Sequence, residues 1–392
     1  MQIKKRYLTE NIVSDLTEKM VFIAGPRQVG KTTLAQGIGK QTFTSFTYFN
    51  WDYQPDRKEI INSRFPAESK LIIYDELHKY KNWKNQVKGL FDKYRGKVSI
   101  LVTGSAKLDV YRRGGDSLVG RYHFYLLHPF SLAEIIEKKN KFQLFKELKF
   151  SKNVNSKRVL KRLLGFGPFP EPYIKNNKRY WRRWQSNKID RLVKEEIRDM
   201  RVIFDISNLQ VLVEILPERA ASLLSMNNLR GDLQVAHKTI VNYLNILESL
   251  YYHFRIYPFS QKTIRSLRKA SKIYLWDWSV VKNQGAKFEN LIASHLLKLI
   301  SYLKNVEGYQ VELFYLRDTD GREVDFFVVI DKKPWFAVEV KLNETKLSKP
   351  LLYFGKKLKI PYLYQVVLEE KIDFIQDGIR VISADKFLTG LV

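Results

Sequence analysis

Residues 20–42 read MVFIA, then GPRQVGKT, then TLAQGIGKQT, and this succession constrains the chain more than any other stretch of it. A five-residue apolar run ended by Gly-Pro reads as a buried strand, and the segment beyond Lys31 reads as a helix. Between them GxxxxGK[ST] spans Gly25 to Thr32 in the strand–loop–helix context that gives the pattern its meaning. Gly25 and Gly30 let the backbone curl so that its N–H groups point at a phosphate, and the helix N-terminus adds positive partial charge. Lys31 is expected on the β- and γ-phosphates and the Thr32 hydroxyl on magnesium, with Gln28 and Thr33 completing the loop's contacts. The implied ligands are ATP and Mg2+.

The strand-like runs TYFNW, LIIY, VSILVT and HFYLL follow, separated by amphipathic stretches, and predict a parallel α/β sheet over residues 20–130. LIIY ends in Asp75 and Glu76. A carboxylate at that strand end is placed to hold magnesium, which assigns Asp75 as a metal ligand beside Thr32 and Glu76 as the base for the attacking water. VSILVT runs into Thr103-Gly104-Ser105, where one of the two hydroxyls is expected to sense the γ-phosphate. Arg121, just before HFYLL, is the candidate arginine finger, supplied in trans if the protein forms a homo-oligomer, with Arg112 and Arg113 as alternatives.

Charge bears on the partner. The 68 Lys and Arg against 41 Asp and Glu leave a net of +27, which favours a polyanion, DNA first, although an anionic surface would also be attracted. Between Lys138 and Arg201 stand 20 basic and 6 acidic residues, a net of +14. Within that stretch Arg179, Arg182 and Arg183 alternate with Tyr180, Trp181 and Trp184, a pattern that suits a nucleic-acid surface or, alternatively, a solvated helix whose rings pack inward. With no cysteine, thiolate chemistry and Cys-based zinc sites are excluded, and the six His show no metal-ligand spacing. No window is apolar enough to span a membrane and the N-terminus lacks an apolar h-region, so the expectation is a cytoplasmic protein without a membrane partner.

From about 131 to 260 helical periodicity dominates. A short helix near Met226–Leu233, a turn at 234–235 and a longer helix over 236–250 have helix-turn-helix proportions and read as a winged helix. Ile240, Leu244 and Leu247 form the buried stripe, leaving His237, Lys238, Asn242 and Tyr243 for a DNA groove and YYHFRIYPF as the wing; packing between domains is the competing role. Beyond 260 a helix at 286–304 precedes the strands VELFYL, EVDFFVVI and WFAVEVKL. Glu289 lies on that helix and Asp325 on the second strand, while Glu339 and Lys341 share one face of the third because side chains alternate along a strand.

GPRQVGKTTL, LIIYDELHK, TGSA, LVGR before HPFSLAE, and GFGPFPEPY together resemble a widespread prokaryotic family of AAA-type ATPases with a restriction-endonuclease-like C-terminal domain of uncharacterised function. The match runs in order over nearly the whole chain, with GFGPFP replacing the more usual double-glycine form. It implies an AAA-like P-loop α/β domain (residues 1–135), a basic helical linker (136–205), a winged helix (206–261) and an α/β nuclease-like domain (262–392). The last resembles the PD-(D/E)xK fold, which implies that Asp325 and Glu339 hold magnesium and that Lys341 orients water or stabilises charge, unless the fold is kept for binding alone. The resulting expectation is a magnesium-dependent ATPase that binds or remodels DNA and carries a metal-dependent nuclease site. The alternative is a nucleotide-driven switch for a protein partner with an inert C-terminal domain.

Overall fold

A computed structural model describes residues 5–104, 118–192, 206–260, 270–343 and 345–392. Ser105, Arg112 and Arg113 therefore lie outside the described residues. The chain divides into two compact units, one of residues 1–129 with 249–251 and the other of residues 130–248 with 252–392.

The first unit is built on a parallel five-stranded sheet. β1 (Met20–Ala24), β2 (Phe46–Asn50), β3 (Leu71–Asp75), β4 (Ser99–Thr103) and β5 (Tyr122–Leu126) lie in the order β2-β3-β4-β1-β5. β1, β3 and most of β4 are buried along their length, which is why they read as continuous apolar runs. The order matters for the site. β4 lies between β1 and β3, with Ile23 opposite Thr103 and Thr103 opposite Asp75, so the loop after β1 and the acidic end of β3 flank one strand end. Crevices of this kind, at the carboxyl ends of strands where the order reverses, are where open α/β sheets bind ligands.

The second unit holds the helical middle and an eight-stranded sheet together. Its helices include Leu132–Ile135, Ser156–Phe166, Pro170–Lys175, Lys178–Arg191, Met226–Leu233 and His237–Ser249. The sheet runs β12-β13-β11-β10-β9-β8-β6-β7, from β6 (His253–Pro258), β7 (Lys272–Leu275), β8 (Val311–Arg317), β9 (Glu323–Ile330), β10 (Lys333–Lys341), β11 (Tyr362–Val367), β12 (Asp373–Gln376) and β13 (Ile379–Ser383). The helix Gln284–Asn305 is started by Asn283, whose side chain accepts from Ala286 N, and buries a stripe from Phe288 to Leu303.

The short helix Leu132–Ile135 groups with the second compact unit. β6, the segment read as the wing, pairs antiparallel with β7 and parallel with β8 in the large sheet.

Candidate functional site

The phosphate-binding loop is shaped by backbone that few residues tolerate. Gly25 has φ 149° and a Cβ there would stand 2.5 Å from the Leu127 carbonyl oxygen, while Gly30 caps the helix Lys31–Thr42 at φ 96°. Gln28 is also left-handed, at φ 61°. The Lys31 ammonium is buried at the loop, donating to the carbonyls of Gly25 (2.9 Å) and Pro26 (3.0 Å). Thr33 is exposed one residue beyond Thr32.

At the strand ends Asp75 collects the polar groups. Its Oδ2 accepts from the Thr32 hydroxyl at 2.6 Å and from the Tyr48 hydroxyl at 2.9 Å, and its Oδ1 accepts from Thr103. Thr32 and Asp75 thus bring hard oxygen donors to one point, and an ionised carboxylate with lone-pair capacity to spare suits a magnesium ion. Glu76 is left-handed at φ 55° and donates its N–H to the Thr103 carbonyl at 3.0 Å. Its carboxylate lies 3.6 Å from His78 Nε2 and 3.9 Å from Lys79, yet Oε2 is buried without a hydrogen-bond partner. Burial pushes the Glu76 carboxyl above its ordinary range, and Lys31 and Lys79 pull it part of the way back.

Two contributors escaped the sequence reading. Tyr48 on β2 is one, and burial with the neighbouring Asp75 carboxylate raises its hydroxyl pKa. The other is Arg6, which donates to the Val29 carbonyl at 2.7 Å and to the His128 carbonyl, tying the loop to the segment after β5. Tyr7 beside it donates to Leu126 O at 3.0 Å. The only available signal was a basic–aromatic pair before the first helix, which names no partner.

Arg121, the candidate finger, makes a two-pronged pair with Asp92 of the helix Trp83–Tyr94, at 2.9 and 3.2 Å. In this arrangement its guanidinium is committed within its own unit.

In the second unit the helix Lys178–Arg191 leaves Arg179, Arg182 and Arg183 exposed, with Tyr180 and Trp181 half-buried and Trp184 buried. Trp184 is buried against Phe169 with centroids 5.2 Å apart, Trp181 donates to Ser279 Oγ at 3.0 Å, and Tyr180 donates to Glu171. His237, Lys238 and Asn242 are exposed on the helix His237–Ser249. Tyr243, assigned to the same groove-facing set, is instead buried at 2% exposure, because it falls beside Ile240 and Leu244 on the core stripe.

Pairing of β9 with β10 and packing of the helix Gln284–Asn305 bring Glu289, Asp325, Glu339 and Lys341 into one neighbourhood. The sequence reading omitted Lys272. Its ammonium lies 2.7 Å from Glu323 Oε1, 3.1 Å from Glu289 Oε1 and 3.2 Å from Asp325 Oδ1, and its side chain is 4% exposed. Asp325 Oδ2 accepts from Val340 N at 2.9 Å, Tyr274 donates to Glu289 at 2.8 Å, and Lys341 pairs with Glu339 Oε1 at 3.0 Å. Burial, then Asp325, raises the carboxyl pKa of both Glu289 and Glu339. Each carboxylate expected to hold the metal has an ammonium beside it, Lys272 at Asp325 and Lys341 at Glu339, while Glu339 Oε2 is buried without a hydrogen-bond partner. Among the described residues, no group of three or more His or acidic side chains is arranged to hold a metal ion. None of the described helices is long and apolar enough to cross a membrane.

Residues 17–136 match a family model described as an AAA domain, consistent with the five-stranded P-loop unit. Residues 157–289 and 284–387 match two models, each described as a domain of unknown function (DUF8612 and DUF4143). The uncharacterized protein Rv2008c of Mycobacterium tuberculosis is 21% identical over 388 residues, covering 94% of this chain and 81% of that one. The uncharacterized protein MJ1637 of Methanocaldococcus jannaschii is 23% identical over 408 residues, covering 91% and 82%. Among solved structures, Aeropyrum pernix ORC1 in complex with DNA aligns at TM-score 0.32 and 11% identity over 75% of this chain and 94% of that one. The Thermotoga maritima RuvB Holliday junction branch migration motor aligns at TM-score 0.28 and 16% identity, over 67% and 94%.

Proposed function

We propose that the chain is a magnesium-dependent ATPase whose turnover controls its engagement with DNA. One observation carries the catalytic half: Thr32, Asp75 and Thr103, from three separate elements, meet by hydrogen bonds at the mouth of the Gly25–Thr32 loop. Backbone N–H groups of the loop would cradle the β-phosphate, and Lys31 would exchange two carbonyl partners for phosphate oxygens. Thr32 and Asp75 would hold magnesium, which when bound supplies neutralising charge for the β- and γ-phosphates. Glu76, with a carboxylate oxygen that has no hydrogen-bond partner, would accept the proton of the attacking water, and Thr103 would respond to the γ-phosphate through Asp75.

The DNA half rests on charge: a net of +27, with Arg179, Arg182 and Arg183 exposed on one helix. Ring stacking and metal-dependent cutting form no part of it.

The test is ATP turnover by the full chain with and without magnesium and with duplex or single-stranded DNA. Lys31→Ala should lose nucleotide binding. Glu76→Gln should retain bound ATP with turnover reduced about 10²–10⁴-fold, the usual contribution of a general base. Unchanged turnover in both variants would sink the catalytic assignment, whereas turnover without any DNA interaction would favour a switch acting on a protein partner.

A further inference from the structure

An ammonium has three N–H donors and no acceptor, and in the second unit Lys272 has three carboxylates to receive them. They come from two elements: Glu289 on the helix Gln284–Asn305, and Glu323 and Asp325 on β9. The lysine itself stands at the start of β7, an edge strand whose pairing with β6 ties it into the sheet. Its position is maintained from several sides. Ser271 to Leu275 are buried, Arg317 takes the second oxygen of Glu323 at 2.7 Å, and Tyr274 adds a hydrogen bond to Glu289. The ammonium offsets the repulsion among carboxylates brought so close together.

We infer that Lys272 is the resident cation of this carboxylate cluster, occupying by a tethered ammonium the position a divalent metal would need. The chemistry separates the two occupants. Magnesium and manganese require oxygen ligands at about 2.0–2.2 Å in near-octahedral array, whereas these oxygens stand at ammonium distances around Nζ and Asp325 also accepts from Val340 N. Glu339 Oε1 is held by Lys341 at 3.0 Å, and its Oε2 is buried without a hydrogen-bond partner. The cluster therefore acts as a charge-compensated anchor between β7, β9 and the long helix. It binds no divalent ion while Lys272 is in place, and removing that side chain uncovers a metal site. This inference stands apart from the ATPase reading.

The experiment is manganese binding, read by electron paramagnetic resonance of the free ion, to the nucleotide-free full chain in a Lys31→Ala background. Asp325→Asn should leave the isotherm unchanged, because the native cluster contributes no manganese site. Lys272→Met should add one manganese per chain, and Lys272→Met with Asp325→Asn should abolish it. A native site that disappears in Asp325→Asn overturns the inference, and so does a folded Lys272→Met that gains nothing. Should Lys272→Met fail to fold by near-ultraviolet circular dichroism, the comparison of native protein with Asp325→Asn decides alone. Magnesium-dependent cutting of end-labelled DNA by the native protein, lost in Asp325→Asn, would also overturn it.

Discussion

Arg6 donates through Nη1 to the Val29 carbonyl at 2.7 Å, so a residue ahead of the first helix fixes the phosphate-binding loop from outside the loop itself. The guanidinium spans from Val29 to His128 and is nearly buried. Loss of these bonds leaves two carbonyls to find other partners. Arg6→Ala should therefore destabilise the first unit by about 1.5–3 kcal/mol or more, the range for a hydrogen bond involving a charged group, and weaken nucleotide affinity. Urea unfolding alongside nucleotide titration would measure both; a variant with native stability and affinity would remove Arg6 from the loop's support.

Gly25 makes a sharper steric case. A methyl group there would meet the Leu127 carbonyl at 2.5 Å, and φ 149° is backbone that side chains rarely adopt. Gly25→Ala should cost at least the 1–3 kcal/mol that is roughly typical of overpacking and should empty the loop of nucleotide. Gly37→Ala, where nothing lies within 4 Å of the added carbon, is the control and should bind normally. Equal behaviour of the two variants would contradict the assignment.

Arg121 is engaged by Asp92, which bears on its proposed role in trans. Asp92→Asn should free the guanidinium. If Arg121 completes a neighbouring subunit's site, Arg121→Ala should lower turnover by about 10³-fold or more with nucleotide affinity kept, and turnover per chain should rise with protein concentration. A concentration-independent rate unaffected by Arg121→Ala would leave it as a surface ion pair.

Phosphate contacts by Arg179, Arg182 and Arg183 predict a steep salt dependence of DNA affinity. Each contact contributes about 0.9 to the log–log slope on duplex DNA, so replacing all three by Ala should flatten it by about 2–3. Replacing Trp184 tests a different property, since its ring is buried against Phe169 and should affect stability rather than stacking. An unchanged slope in the triple variant would move DNA contact elsewhere.

Two buried histidines make the second unit sensitive to acid. His295 Nε2 accepts from Leu132 N at 3.0 Å, so its Nδ1, 2.8 Å from Leu291 O, carries the proton; burial lowers its pKa to about 3, and burial lowers that of His253 to about 4. For a base whose folded pKa is depressed, the unfolded chain binds the proton first. Stability is then complete above the unfolded value of about 6.5 and falls as pH drops toward the folded values, by up to about 1.4 kcal/mol per pH unit per histidine. His295→Gln should remove about one histidine's share of that slope in denaturant unfolding between pH 6.5 and 4; an undiminished slope would show that His295 is not responsible.

The sequence alone determined the features that local chemistry encodes. Gly25, Gly30, Lys31 and Thr32 specify a loop because glycine conformation and a helix N-terminus act within a few residues. The apolar runs ending in Ala24, Asp75 and Thr103 specify buried strands, and the 3.6-residue period specifies the helix Gln284–Asn305. Glu339 and Lys341 share a face for the same local reason.

Only the tertiary structure decided which atoms meet. Arg6 reaches Val29 across 23 positions, Tyr48 reaches Asp75 across 27, and Lys272 reaches Asp325 across 53. Nothing local names such partners, because they follow from strand order and register. The same physics commits β6 to the large sheet, turns Trp184 inward and buries Tyr243, since apolar surface and backbone hydrogen bonds gain most where neighbouring elements supply the other half. Lys272 shows the difference most plainly: in the sequence it is one of 68 basic residues, and in the fold it is the cation around which Glu289, Glu323 and Asp325 are arranged.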